Sequence, residues 1–254
     1  MLPDDRSDHL LAEARRHDPD RYLCALLAPA ARREAVLTLI LFNHELARIP
    51  DIVTQPMAGM IRLQWWREAI DELAGGRPAR RHPVVDALGS VLAEGLAAPD
   101  ALHVLIDARE PALEPIAPEL GALEAYAAAT SGALQALIYS ALGGTDPAWA
   151  RAAREIGAAL GLVRLADAVR GEAETAPAAQ EATAALRLAA RGRAAALLRA
   201  GRAAAGRPPR DQMAAFLPAA LTDSYLRQLA NGAELRRPAA MPLLLAARSV
   251  LRRP

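Results

Sequence analysis

Apolar residues recur every three to four positions along most of this chain, and no stretch alternates apolar and polar residues as a strand does. This pattern predicts an all-α fold. Prolines and glycines mark the ends of the periodic stretches and divide the chain into about nine or ten helices. The main predicted helices cover residues 30–48, 57–74, 84–97, 99–109, 121–142, 147–170, 184–205 and 212–230, and a last one follows Pro238.

The spacing of large apolar residues also predicts which face of the 57–74 helix is buried. We expect its buried stripe to contain Met57, Ile61, Trp65, Ile70 and Leu73. Of the adjacent Trp65 and Trp66, about 100° apart on a helix, we expect at least one in the core.

Two features of the second half of the chain concern helix packing and mobility. Gly157 and Gly161 lie four residues apart in the 147–170 helix, which allows close contact with a neighbouring helix, although neutral drift explains such a pair equally well. The segment 171–183, GEAETAPAAQEAT, has few large apolar residues, and its composition predicts a mobile loop.

Composition narrows the class of protein. With 254 residues, 53% of them hydrophobic, the chain can bury a large core, and we expect 1–254 to form a single domain. Thirty basic and 29 acidic residues give a net charge of +1, so no overall field favours nucleic acid. All basic residues are Arg, which excludes Schiff-base and P-loop lysine chemistry.

The cysteine and histidine residues do not show the pattern of a metal site. Cys24 is the single cysteine, so the chain has no internal disulfide and no thiolate cluster. The five histidines are scattered without the spacing of a zinc site. The acidic N-terminus and the lack of a long uncharged apolar run favour a cytoplasmic protein.

Polar residues crowd the end of the apolar 30–48 helix, in the stretch FNHELARIPDIVT. Asn43, His44, Glu45 and Arg48 lie there, and the three-residue spacing allows Glu45 to pair with Arg48. This cluster is either a polar helix end with an ion pair or part of a functional site.

FNHELARIPD followed by RLQWW resembles the squalene/phytoene synthase superfamily, specifically its branch that includes the mitochondrial complex I assembly factor and bacterial relatives. The resemblance covers about residues 18–170. It implies a single isoprenoid-synthase-like helical domain with a central cavity. The cavity or binding residues that it implies are Phe42, Asn43, Glu45, Arg48, Asp51, Gln64, Trp65 and Arg164.

Active members of this superfamily hold Mg²⁺ with carboxylates spaced so that they share one helix face. Their first motif resembles DDIVD, but this chain reads PDIVT at 50–54, so Asp51 is its one remaining carboxylate. Their second motif resembles QLTNILRDVGED. In this chain Arg164 occupies the position of the metal-binding asparagine, Asp167 that of an arginine and Ala168 that of the aspartate. Glu172 lies near the position of a later acidic residue.

The degraded motifs favour a pseudoenzyme, namely a non-catalytic protein similar to the complex I assembly factor. Its expected partners are a respiratory complex subunit and a prenyl or other lipid ligand, and no cofactor is expected. The alternative is an active head-to-head prenyl transferase of phytoene or squalene synthase type, acting on farnesyl or geranylgeranyl diphosphate. It would need Mg²⁺, with Asp51, Glu45 and Asp167 as catalytic residues and Asp51 at most as a metal ligand.

A third hypothesis is peripheral contact with the inner membrane. It depends on the basic stretch 187–193 and on Arg199, Arg202, Arg207 and Arg210. The competing interpretation is a solvated basic helix balanced by acids elsewhere in the fold.

Overall fold

The computed structural model describes residues 3–114, 119–169, 177–231 and 233–254. Helices cover most of these residues and no strand occurs among them, which confirms the all-α fold. The first half contains α1 (Pro3–His17), α2 (Pro19–Ala25), α3 (Ala30–Ala47), α4 (Ile49–Ile52), α5 (Pro56–Ala74), α6 (Pro83–Ala93) and α7 (Pro99–Asp107). The second half contains α8 (Leu120–Ala127), α9 (Ala133–Ala141), α10 (Pro147–Ala168), α11 (Pro177–Ala205), α12 (Pro218–Ala230) and α13 (Met241–Leu251).

Shorter turns complete the helical path. The segments Glu110–Leu113 and Arg210–Ala215 are 3₁₀ turns, and a π turn over Ala128–Gly132 joins α8 to α9. The predicted 121–142 helix is therefore interrupted by one wider turn. Proline stands at the start of many helices because the first turn does not need the N–H that proline lacks.

Two helices organise the core because they are apolar on nearly every side. Helix α3 is buried almost continuously from Ala35 to Phe42, between α1, α6 and α9. Helix α10 lies between α8, α9, α11 and α12 and is buried from Ile156 to Val163. The first half packs mainly around α3 and the second mainly around α10.

The glycine pair of α10 makes the close contact that its spacing allows, so the alternative of neutral drift is not needed. A Cβ on Gly157 would lie 2.5 Å from the Ser131 carbonyl oxygen, and one on Gly161 would lie 2.6 Å from the Ser131 Cβ. The Ser131 hydroxyl also donates a 2.6 Å hydrogen bond to the Gly157 carbonyl oxygen. This contact fixes α10 against the π turn.

Two sequence predictions are corrected. Residues 177–183 were expected in a mobile loop but form the start of α11, because alanine has a high helix propensity and Pro177 suits a first helical turn. Residues 171–176 of that predicted loop lie outside the described residues.

The predicted buried stripe of α5 is correct for Ile70, and Trp65 and Leu73 are partly buried, but it is wrong for Met57 and Ile61. The helix buries Leu63, Trp66 and Ile70, whereas Met57 is 68% exposed and Ile61 is 65% exposed. Helix α5 has apolar residues on two faces, and only the packing of α6 and α7 decides which face is covered.

Candidate functional site

The first motif region lies on α4 and α5, at the surface of the molecule. Asp51 is exposed, and its carboxylate makes no ion pair or hydrogen bond within the described residues. Pro50 is in the first turn of the four-residue helix α4, and Val53 after it is extended. The chain turns away at Val53, so this segment cannot present several carboxylates along one helix face.

A cleft of about 320 Å³ opens beside this segment, between the end of α3, α4 and α5. Trp65 is half-buried in its wall, and the Arg80 guanidinium lies 5.2 Å from the centre of the Trp65 ring. Trp66 is only 4% exposed and packs edge-to-face on Phe42, with ring centres 5.4 Å apart. Trp66 is thus the core tryptophan, and Trp65 the one at the surface. The cleft is lined by Glu45, Ile49, Ile52, Ile61, Arg62, Trp65, Trp66 and His82.

Large apolar side chains continue from the cleft across the solvent side of α5. We call this surface the α4–α5 face and define it by Ile52, Met57, Met60, Ile61 and Trp65. A second groove of about 380 Å³ lies along the same helix, and Gln64 lines it. A monomer gains nothing by exposing so many neighbouring apolar side chains, so the face has the character of a binding surface.

Charged groups border the cleft. An Arg48 guanidinium nitrogen lies 3.5 Å from the Glu45 carboxylate, and His82 Nε2 lies 4.0 Å from it. Burial lowers the pKa of His82, which favours the neutral ring whose Nδ1 accepts a hydrogen bond from the Val84 N–H at the start of α6. Glu45 and Arg48 therefore form the predicted pair, in a partly exposed position.

Two of the predicted cavity residues have structural roles instead. Phe42 is fully buried in the core. Asn43 Oδ1 accepts a 2.6 Å hydrogen bond from Arg109, which also donates to the Tyr126 hydroxyl at 2.9 Å. Asn43 therefore ties α3 to the segments around Arg109 and Tyr126.

The second motif region, on α10, is occupied by a network of ion pairs. Arg164 Nη2 lies 3.0 Å from an Asp18 oxygen and 2.8 Å from an Asp20 oxygen. Arg21 donates to Asp18 at 2.8 Å, and the Tyr225 hydroxyl donates to Asp20 at 2.7 Å. We call these five residues, Asp18, Asp20, Arg21, Arg164 and Tyr225, the Arg164 network.

Burial and charge act in opposite directions in this network. Burial alone would raise the pKa of Asp18, but the guanidinium groups of Arg164 and Arg21 hold it well below its usual range. Burial alone would lower the pKa of Arg164, but Asp18 and Asp20 raise it. Burial and the neighbouring Asp20 carboxylate raise the pKa of Tyr225. The carboxylates of Asp18 and Asp20 are therefore both bonded to partners within the chain itself.

The aspartates of the network were not among the predicted site residues. Asp18 precedes Pro19, and its side chain caps α2 by accepting from the Arg21 N–H at 3.2 Å. An aspartate before a helix-starting proline is thus a visible capping signal in the sequence. Nothing in the sequence indicates that Arg164, 146 residues away, shares this carboxylate.

The structure does not bring the predicted catalytic carboxylates together. Asp167 lies 3.8 Å from Arg187 of α11, whereas Asp51 lies on α4, which packs on α3 and α5. No group of three or more His, Cys, Asp or Glu in the described part of the chain is arranged to hold a metal ion. The motif positions carry Pro50, Thr54, Arg164 and Ala168. These residues do not fit a magnesium cluster, which requires several oxygen ligands.

No helix among the described residues is both long and apolar enough to cross a bilayer.

The sequence model for squalene/phytoene synthase matches residues 14–177. Complex I assembly factor 6 of Bos taurus is 35% identical over 150 residues, which are 59% of this chain and 45% of that protein. The Homo sapiens assembly factor 6 is 33% identical over 159 residues, 62% of this chain and 47% of that protein. The chain therefore aligns with about half the length of these relatives.

Two solved structures have the same fold. Squalene synthase HpnC from Alicyclobacillus acidocaldarius superposes with a TM-score of 0.73 at 15% identity, over 90% of this chain and 94% of that one. A dehydrosqualene synthase superposes with a TM-score of 0.70 at 14% identity, over 98% and 96% of the two chains. These matches confirm the isoprenoid-synthase-like fold.

Proposed function

We propose that this chain, which belongs to the squalene/phytoene synthase family, uses the family fold without the metal-dependent chemistry. It acts as an assembly factor for a respiratory complex, on the cytoplasmic side of the inner membrane. A client subunit binds to the α4–α5 face. The similarity to complex I assembly factor 6 of two mammals supports the choice of client.

The Arg164 network is the observation that carries this proposal. A diphosphate in an apolar site needs metal ions or free cationic groups to offset the cost of removing its charges from water. Arg164 stands where active members are expected to carry a metal-binding asparagine, and its guanidinium already bonds Asp18 and Asp20. A diphosphate would have to displace two carboxylates that are themselves buried.

The α4–α5 face has the composition of a protein-binding surface. Its apolar centre contains an aromatic residue, Trp65, and Arg48, Arg62 and Glu68 lie at its edge. Protein interfaces commonly combine an apolar or aromatic centre with a charged rim. Groups of both charges border this face, which suits a folded protein partner.

A turnover assay tests the loss of chemistry. The purified protein is incubated with farnesyl or geranylgeranyl diphosphate, Mg²⁺ or Mn²⁺, and NADPH, beside an active squalene synthase. We expect no pyrophosphate release and no C30 or C40 product. Turnover that Asp51→Ala abolishes would establish the alternative, an active head-to-head prenyl transferase.

Complementation tests the assembly role. Cells that lack the protein receive the wild type, Met57→Ser/Ile61→Ser, or the matched control Leu188→Ser, which alters another apolar residue that is 61% exposed. We expect the wild type and the control to restore NADH:ubiquinone oxidoreductase activity, and the double variant to lose most of it. Full rescue by a stably folded double variant would rule out the α4–α5 face as the client site.

A further inference from the structure

Helix α13 is apolar on the side that faces solvent as well as on the side that faces the core. Met241 and Leu245 are buried where α13 packs on α2, α12 and the Arg210–Ala215 turn. With 100° between successive residues, the outward side is an arc of roughly 120° without a charged residue. This arc contains Leu243, Leu244, Ala247, Val250 and Leu251.

These side chains are strongly exposed. Leu243 is 76% exposed, Val250 64% and Leu251 56%. A surface helix normally carries polar residues on its outward side, and a helix that is apolar all round normally has an apolar environment all round. We therefore expect the outward side of α13 to contact an apolar environment.

The charged residues near α13 indicate what kind of apolar environment this is. From Ser224 to Pro254 the chain contains six arginines and a single acidic residue, Glu234, although the whole chain has a net charge of only +1. The arginines are Arg227, Arg236, Arg237, Arg248, Arg252 and Arg253. An apolar helix face beside an excess of arginine is typical of segments that lie on anionic membranes.

A cleft of about 360 Å³ adjoins the first turn of α13. Pro242 is in its wall, and Arg15 and Arg237 also line it. Among the described residues, Arg15 makes no ion pair, and Arg237 makes one, a 3.4 Å contact to Asp20. The cleft therefore offers cationic side chains for a phosphate beside Pro242, the residue that precedes Leu243 in α13.

The basic helix singled out in the sequence is less suited to this role. Arg193 pairs with Glu124 at 2.6 Å, Arg202 pairs with Asp223 at 2.5 Å, and Arg187 lies 3.8 Å from Asp167. Much of the positive charge of α11 is therefore balanced within the fold, as the competing interpretation held. Near α13, Arg236 pairs with Glu234 at 3.0 Å and Arg248 lies 3.8 Å from Asp223, but arginines still outnumber acidic residues there. Of these two described surfaces, only the one around α13 combines that excess with an uncovered apolar arc.

We propose that α13 docks this protein on an anionic lipid surface. Leu243, Val250 and Leu251 enter the boundary between headgroups and acyl chains, and Arg15 and Arg237 bind lipid phosphates. This inference deepens the membrane-peripheral location proposed above, and it is independent of the client site on the α4–α5 face.

Vesicle co-sedimentation of the full chain tests this inference. We expect binding to phosphatidylcholine vesicles that contain phosphatidylglycerol, weak binding to phosphatidylcholine alone, and a marked loss when salt is raised about tenfold. Leu243→Gln/Val250→Gln should reduce the bound fraction about tenfold or more. Val104→Gln, a matched change at an apolar residue of α7 that is 51% exposed, should leave it unchanged.

Charge reversal tests the phosphate site. Arg15→Glu should weaken binding to anionic vesicles severalfold, whereas Arg151→Glu on the exposed side of α10 should not. Equal binding of wild type and the α13 double variant would overturn the proposal. So would a stable dimer that the double variant dissociates, because a second copy would then cover α13. Neither result alters the complementation result for Met57→Ser/Ile61→Ser.

Discussion

Asp51 is exposed on a four-residue helix without a side-chain partner in the described part of the chain, whereas Arg164 bonds two buried aspartates from the other end of the sequence. These two regions stand where active relatives are expected to hold metal ions. One has become a surface with apolar side chains facing solvent, and the other has become an internal ion-pair network.

The difference shows two ways in which a binding site can lose its original chemistry while the fold persists. In the α4–α5 region, Pro50 shortens the helix that would align the carboxylates, and the freed surface can serve a new partner. In the α10 region, the chain supplies its own counter-ions, so removal of one partner leaves a buried charge uncompensated and should destabilise the fold. Mutations in the Arg164 network should therefore affect stability, whereas mutations of exposed residues in the α4–α5 region should affect binding.

The largest difference is expected between the adjacent tryptophans of the α4–α5 region. Trp66→Ala removes a buried ring and should lower the free energy of unfolding by about 4 kcal/mol. Trp65→Ala removes a half-buried ring and should cost no more than about 1.5 kcal/mol. Urea denaturation followed by circular dichroism measures both, and equal losses would mean that Trp65 is also a core residue.

Comparison of Asp18 with Asp51 tests the contrast between the regions directly. Asp18→Ala leaves the buried Arg21 without its carboxylate and should cost about 3 kcal/mol. Asp51→Ala should change the free energy of unfolding by less than about 0.5 kcal/mol, because this carboxylate is exposed. A comparable loss at both positions in chemical denaturation would contradict the assignment of Asp51 to a free surface.

Glycine substitutions probe how firmly α10, which carries Arg164, is held. Gly157→Ala places a methyl group 2.5 Å from the Ser131 carbonyl oxygen and should cost about 2 kcal/mol. Gly192→Ala on α11 meets nothing within 4 Å and should stabilise the protein by about 0.5–1 kcal/mol, through the higher helix propensity of alanine. Thermal unfolding of both variants should show shifts of opposite sign.

We expect the smallest change in the free energy of unfolding from a change of pH. The histidines of the first region and Asp18 of the Arg164 network respond in different pH ranges, so the two regions can be distinguished. Burial lowers the pKa of His82 and of His44, whose ring stacks on His17 and is further affected by it. The unfolded chain therefore binds these protons more readily, and the free energy of unfolding should fall as the pH drops below about 6.5.

Asp18 behaves differently because its pKa is held below the usual range. Its contribution is fully present above pH about 4 and is lost only as the pH falls further. Denaturation midpoints between pH 7.5 and 5.5 should thus report on the histidines. His44→Gln/His82→Asn should flatten that range, and an unchanged slope would show that other groups cause it.

The sequence was informative where a property depends on residues close together in the chain. The helices, the Glu45–Arg48 pair and the close contact at Gly157 and Gly161 follow from spacing within single segments. The loss of carboxylates from the first motif is equally visible at Pro50 and Thr54. These features required no knowledge of which helices are neighbours.

The sequence by itself therefore determined the all-α fold and the degradation of the metal motifs, because helix periodicity and residue chemistry are local. Only the tertiary structure decided that Arg164 bonds Asp18 and Asp20, that Ile61 faces solvent, and that α13 is apolar on its outward side. The physical reason is that burial and ion pairing depend on which helices pack together. An apolar stripe shows that one face of a helix is suited to burial. Where a helix has two such faces, the arrangement of neighbouring helices decides which of them is buried.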